Sequence, residues 1–560
     1  MNKKVLGCVL ASFLSTAVSA KSSVADNEKM VKDFIQSYEA KVDPAYKKAA
    51  ISGFDAQLSG KESDYTKSSQ AQVDLSKIYS NKEDYAAVKK LKKIKITNKD
   101  LKRQLELIYN AYTSSQIAPE KLEAMIKLQT EIESKFNVFR PEVDGKQLTD
   151  NEVEKLLKTS NNSLEVEKAW KASKLIGKVV SEDIKKLVVM RNQAAKELGF
   201  KNYHQMMLKL GEQDPQQIEK LFNELDALTR PAFASLKKDI DKSLAKKFNI
   251  PVSKLQPWHY QNRFFQEAPE IYALDLDGYY KDKDLVKLME NYYSSIGMPA
   301  DDIAARSDLY ERKGKYQHAC ENNMDRKQDI RIICNIKPNA SWMDTTLHEF
   351  GHGVYDKYLD QSMPWSFREA AHTFTTEAIA QLFGRMASNP QWIHDVVGIS
   401  SEEQTKISDL SFKIQRLRQL VFSRWVQVMY RFEKGMYENP NQDLNALWWK
   451  LVEKYQLVKK PAGRNEPDWS SKIHIALYPA YYHNYLMGEL LASQLNAYVV
   501  KNVIKSKDIK NQSYANNKEV GKYFIEEVFT PGRKLYWNDM IKKATGEKLT
   551  AKYYAKQFVK

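Results

Sequence analysis

From about residue 26 to 245, apolar residues recur three and four positions apart, with lysine and glutamate between them. VDLSKIYSNKEDYAAVKKLKK and EVEKAWKASKLIGKVVSEDIKKLVVMRNQAAKEL are examples. This spacing gathers the apolar side chains on one face of a 3.6-residue helix, so the pattern predicts a mainly helical body. Pro119, Pro141, Pro215, Pro231, Pro251 and Pro257 read as punctuation between helices. Alternation of β-branched residues is clearest in QDIRIICNIK, residues 328 to 337, which predicts a strand. It lies just upstream of TTLHEFGHGVYDKYL, residues 345 to 359, where it could pair with an extended peptide. The chain shows no sustained heptad pattern, tandem unit or low-complexity linker.

The first twenty residues follow a different pattern. Lys3 and Lys4 precede the apolar run VLGCVLASFL, and AVSA ends with Val18 and Ala20 at the small-residue positions of a cleavage site. This predicts a secretory leader over 1–20. No later run of eighteen apolar residues occurs, so the expectation is an exported protein without stable membrane insertion. It would be periplasmic in a Gram-negative bacterium and extracellular otherwise. In an oxidising compartment the remaining cysteines, Cys320 and Cys334, suggest one disulfide. The formal charge is +16, falling to +14 without Lys3 and Lys4. It is spread along the chain, with no motif for reading nucleic acid beside it, so nucleic acid is not an expected partner.

Candidate chemistry enters at HEFGH. Residues four apart share a helix face, so His348 and His352 can bind one Zn²⁺ through their imidazoles. Glu349, about 100° around the helix, can reach a catalytic water. With 9 histidines in 560 residues, such a pattern arises by chance in roughly one chain in fifty. Gly351 and Gly353 suggest that another backbone packs close, since glycine inside a helix otherwise costs about 1 kcal/mol. A third ligand is needed. Glu377 in HTFTTEAIAQLFGRM is preferred because Thr375 and Thr376 can start its helix, with Glu369 and His372 as competitors. For donors facing developing negative charge, KIHIALYPAYYHNYL offers Lys472, His474, Tyr481, Tyr482 and Tyr485.

HEFGH followed by TTEAIAQLF resembles the angiotensin-converting-enzyme family of zinc peptidyl dipeptidases. QHACENNMDRKQDIRI, the AWKASK to NYHQ segment and SSKIHIALYPAYYHNYLMGELLASQL resemble other stretches of that family, so similarity runs over most of residues 30 to 500. HEFGH is also typical of thimet-like oligopeptidases, but the continuation after His352 matches them poorly. The resemblance implies a mainly α, two-lobed zincin with a deep central groove and a very small β element near the metal helix. It implies one two-lobed peptidase domain over 21–560 that takes oligopeptides with a free C-terminus.

Carried across residue by residue, the ligands of one Zn²⁺ are His348, His352 and Glu377, with Glu349 as general base and then acid. Lys472 and Tyr482 bind the substrate carboxylate, His474 helps hold the peptide, and Tyr485 serves the oxyanion. His318 and Ala319 hold substrate backbone. The tyrosine assignment takes one inserted residue after His474; without it Tyr481 fills the first tyrosine position and Asn484 the second. The expected activity is release of C-terminal dipeptides. The alternatives are a zinc carboxypeptidase, an oligopeptide endopeptidase, or a peptide-binding homologue with impaired catalysis. The chain departs from the family in four places. The loop before Glu377 is one residue longer, and Glu321 replaces a small residue. Gln381 stands where the family has an aspartate orienting a zinc histidine. Asn484 stands where an arginine binds activating chloride, so chloride is not expected to be required.

Overall fold

The computed structural model describes residues 23–559, and the expected leader over 1–20 lies outside the described residues. Helices dominate the described residues, and their only strands form two antiparallel pairs, so the expected mainly α fold is what the chain adopts. The first helix, Val24–Ser59, opens with a capping box. The Asp26 amide donates to the Ser23 hydroxyl at 3.1 Å, and the Ser23 amide donates back to the Asp26 carboxylate at 3.2 Å. Its face of Val31, Ile35, Tyr38 and Val42 packs with Leu105, Ile108 and Tyr112 of helix Lys99–Ser114 in a small core of its own.

A larger core gathers the remaining long helices. In Ser163–Glu197, Val166, Ala169, Trp170, Ile176, Val180, Ile184 and Leu187 are buried at the spacing the sequence predicts. Pro119 and Pro215 begin helices, where a missing N–H costs nothing. Pro231, expected at a boundary, instead lies inside Pro215–Phe248. Leu225, Thr229, Phe233 and Leu236 are buried on both sides of it, and that packing outweighs a proline penalty of about 3 kcal/mol. No helix among the described residues is long and apolar enough to cross a membrane.

Strands β1 (Glu142–Val143) and β2 (Lys146–Gln147) form a short hairpin. Strands β3 (Cys320–Asn323) and β4 (Ile330–Ile333) pair antiparallel, with Cys320 opposite Ile333 and Glu321 opposite Ile332. The predicted strand over 328–337 therefore shortens to β4. Its partner β3 is polar and carries no strand signal of its own.

This register overturns the expected Cys320–Cys334 disulfide. Directly opposed residues share a face, so Cys320 packs with Ile333, Phe54 and Met324. Cys334 follows Ile333 and points to the other face, into the main core with Ile332. Both cysteines are free thiols, and burial pushes both thiol pKa values up.

Three helices frame the HEFGH segment. Ala340–Lys357 carries it, capped by Asn339, whose side chain accepts from the Trp342 amide at 2.8 Å. Thr373–Gly384 crosses it at Gly351, where a Cβ would stand 2.9 Å from the Ala380 Cα and 3.3 Å from its nitrogen. Gly351 is therefore the close backbone approach that the sequence suggested, whereas Gly353 faces the side chains of Ile303 and Ile332. His483–Tyr498 packs on Thr373–Gly384 from its other side. A Cβ at Gly488 would stand 2.8 Å from Gln381 Oε1 and 3.1 Å from Glu377 Cγ.

Candidate metal centre and peptide groove

The backbone contact at Gly351 brings Glu377 over the two histidines of HEFGH. His348 Nε2 lies 4.0 Å from one Glu377 carboxylate oxygen, and His352 Nε2 lies 3.8 Å from the other. One donor atom from each of the three falls within 4.8 Å of the rest. His352 Nδ1 is bonded to Thr376 Oγ1 at 2.8 Å, which turns Nε2 toward the centre. Burial lowers the His348 pKa to about 4 and holds that of His352 well below its usual value, so both imidazoles are neutral with a lone pair to offer. Burial, then the charge of Glu489, raises Glu377 to about 7. Two neutral imidazoles and one partly buried carboxyl fit a zinc ion with an open fourth position.

The competing ligands are committed elsewhere. Glu369 pairs with Arg326 and, at 2.6 Å, with Arg533. His372 caps the helix Thr373–Gly384, accepting from the Phe374 amide, and its Nε2 meets the Gly211 carbonyl at 2.8 Å. The helix start thus falls at His372 rather than at Thr375 or Thr376. Thr375 takes part in that cap by accepting from the His372 amide at 3.1 Å. Gln381 donates to Glu377 Oε1 at 3.0 Å, and its own Oε1 is buried without a partner. Its amide therefore steadies the carboxylate.

Glu349 is 8% exposed. Burial, then the neighbouring Glu377 charge, raises it to about 8, while the Glu321 backbone amide donates to it. A carboxyl in this setting exchanges a proton near neutral pH.

A groove of about 910 Å³ runs past this centre, lined by Gln266, Glu267, Gln381, Phe422, Tyr485 and Glu489. Tyr485 is half-buried, and the charge of Glu377 raises its pKa after burial does. Tyr481 and Tyr482 each lie 5.4 Å from it, ring to ring. Tyr482 accepts from the Trp425 indole at 2.9 Å and stands 5.2 Å from the His474 ring. Lys472 lies 5.7 Å from the Tyr482 ring and donates to Gln266 Oε1 at 2.6 Å. Burial, then Arg263, lowers the Lys472 pKa to about 8. His474 Nδ1 is buried without a partner. Tyr482 thus falls beside Lys472, while the charge of Glu377 reaches both Tyr481 and Tyr485. His318 is exposed and packs on Tyr316, while Ala319 is partly buried ahead of β3. The sequence around Gln266, Trp425 and Thr376 carries no local signal for their contacts with Lys472, Tyr482 and His352.

A sequence model of the angiotensin-converting enzyme family, peptidase family M2, matches residues 25–558. The angiotensin-converting enzyme of Theromyzon tessulatum is 25% identical over 449 residues, 72% of this chain and 70% of that protein. That of Rattus norvegicus is 22% identical over 483 residues, 80% of this chain but 36% of the rat protein. An inactive angiotensin-converting enzyme-related protein of Caenorhabditis elegans is 24% identical over 233 residues, 39% of this chain and 25% of its own length. With a helical fold, a His/His/Glu cluster and a family match over nearly its whole length, the chain belongs to the angiotensin-converting enzyme family of zinc metallopeptidases.

Proposed function

We propose that this protein is an exported peptidyl dipeptidase, built as one two-lobed domain over 21–560, that removes dipeptides from the free C-termini of oligopeptides. The observation that carries this reading is a buried Glu349 beside the convergent His348, His352 and Glu377, with the Lys472–Gln266 pair at another point of the groove. His348, His352 and Glu377 would hold zinc, which when bound acidifies water and polarises the scissile carbonyl. Glu349 takes the proton from the attacking water and delivers it to the leaving amine. Tyr485 donates its hydroxyl proton to the oxygen that gains charge. Lys472, Gln266 and Tyr482 receive the substrate carboxylate, while His474, His318 and Ala319 hold the peptide main chain.

The inactive relative makes catalysis worth testing directly. Glu349 and all three proposed ligands are present here, which supports an active enzyme. The test is digestion of a mixed oligopeptide library by the zinc-loaded protein, read by mass spectrometry. Dipeptides from free C-termini support the proposal. Single residues indicate a carboxypeptidase, internal fragments an endopeptidase, and no product a binding protein.

A further inference from the structure

A second cavity, of about 280 Å³, opens on the His352 side of the metal set and shares no lining residue with the main groove. Glu321, Asp356, Glu369, Arg326 and Arg533 contribute its charges. Both guanidiniums pair with Glu369, and Arg326 also stacks on Trp365 at 3.8 Å. Among the described residues neither Glu321 nor Asp356 forms an ion pair, although the Arg326 charge reaches Asp356. Asp356 accepts from the Asn323 amide at 2.8 Å, whereas Glu321 Oε1 is buried with no hydrogen-bond partner. An unpaired buried carboxyl is costly, and a cation arriving from outside would relieve that cost. Burial, then the repulsion of Asp356 and Glu349, pushes the Glu321 carboxyl far up, which shows how little positive charge reaches it.

The position of β3 ties this cavity to the substrate path. The Glu321 amide bonds to Glu349, so β3 runs beside the catalytic carboxylate. Among the described residues β3 pairs only with β4; on its other edge Glu349 takes the Glu321 amide and Tyr46 the Asn323 carbonyl, which leaves the Glu321 carbonyl and the Asn323 amide for an extended peptide. Gln266, the partner of Lys472, lines the main groove and His352 the second cavity, so a peptide anchored by its carboxylate at Lys472 and crossing Glu349 would bring its amino-terminal residues to the His352 side.

We propose that this cavity selects a lysine or arginine side chain one or two residues to the amino-terminal side of the scissile bond, with Glu321 and Asp356 holding its cation. The proposal rests on the peptidase reading above and names the substrate class of that site. Asp356 lies one helical turn beyond His352, so the same helix that presents the imidazole also presents this carboxylate. Glu321 gives the strand that meets the peptide main chain a charged side chain as well.

The test uses two zinc-loaded proteins. E349Q, which should hold peptide without turnover, is titrated by calorimetry with free-acid peptides carrying lysine or norleucine at either position. The active protein digests the same pairs. Lysine peptides should bind roughly ten- to a hundredfold tighter than norleucine peptides, the range of a hydrogen bond to a charged group. In an E349Q background, E321A should abolish this difference while leaving norleucine peptides bound as before, and D356N should reduce it. Equal binding of both peptides by E349Q overturns the inference and leaves the peptidase reading standing. Equal loss of both in E321A also overturns it, because Glu321 would then be structural. If neither peptide binds and neither is cut, the inference and the peptidase reading fall together.

Discussion

Replacing Lys472 by methionine should make the protein more stable and a poorer reader of C-termini. Lys472 is 8% exposed, enclosed by the rings of Phe264, Trp425 and Tyr482, and its one close polar partner is the neutral Gln266. Its pKa falls from the ordinary 10.5 to about 8, so keeping it charged at pH 7 costs the folded state about 3 kcal/mol. The sign follows from linkage. The unfolded chain binds the proton more tightly, so the penalty is full below pH 8 and fades as pH rises to about 10.5. Methionine removes the penalty but strands Gln266 Oε1, which returns about 1–2 kcal/mol of it. The net gain is about 1–2 kcal/mol below pH 8 and turns into a loss of about 1–2 kcal/mol above pH 10.5, where only the stranded Gln266 is left, and denaturant titrations at pH 7 and 11 would measure it. Against free-acid peptides, kcat/KM should drop roughly ten- to a hundredfold, mainly through KM, because the contact is made in ground and transition states alike. C-terminally amidated peptides should be cleaved as poorly as before. For the wild type, kcat/KM on free acids should decline as pH rises through 8, when Lys472 in the free enzyme loses its charge. Equal losses on acid and amide, or a variant less stable at pH 7, would show that the lysine supports the fold and does not read the carboxylate.

Glu349→Gln should retain zinc while kcat falls on the order of a thousandfold or more, measured by metal analysis beside steady-state kinetics; near-normal turnover would remove Glu349 from the chemistry. Glu377→Ala should lower zinc content at equilibrium dialysis, and an unchanged stoichiometry would move the third ligand to Glu369 or His372. The protein, denatured without reductant, should take up an alkyl group at each of Cys320 and Cys334, read by peptide mass mapping; no uptake at either would restore the disulfide. Activity should be nearly independent of chloride, because Asn484 accepts from Gln213 at 2.7 Å and Gln213 meets His483 at 2.6 Å in a network without charge. A saturable, many-fold activation across a chloride series at constant ionic strength would contradict this.

Much of the site was legible because its signals are local. His348 and His352 need only four-residue spacing on a helix, and the long helices follow from apolar periodicity. Gly351 declared a backbone neighbour, although Ala380 itself had to come from the fold. What stayed hidden depends on distant partners. Gln266 meets Lys472 across 206 residues from an irregular stretch with no periodicity. Glu369 was a plausible ligand until Arg326 and Arg533, 43 and 164 residues away, claimed its carboxylate. The cysteines looked paired by number and compartment, but their faces are set by strand register, and CENN gives no hint of being a strand. Pro231 carries a breaker's signature that only the burial around it overrules.

The charges at the two ends of the proposed peptide path bear on direction as well as residue preference. Lys472 stands at the end that would receive a carboxylate, and Glu321 and Asp356 at the other. A peptide laid the opposite way would bring its amino group toward a buried ammonium and its carboxylate toward the charged Asp356, beside a Glu321 that burial and repulsion hold protonated. Each like-charge contact in such surroundings costs several kcal/mol, and the site's seclusion from solvent keeps salt from screening it. Main-chain pairing along an open strand edge cannot alone enforce direction, because antiparallel and parallel additions both satisfy hydrogen bonds. The end charges would therefore do what β3 cannot, fixing which end of the peptide reaches Glu349 first. On this argument the cost of burying Lys472 and Glu321 belongs to function: each is poorly satisfied in the free protein because its partner is a substrate charge.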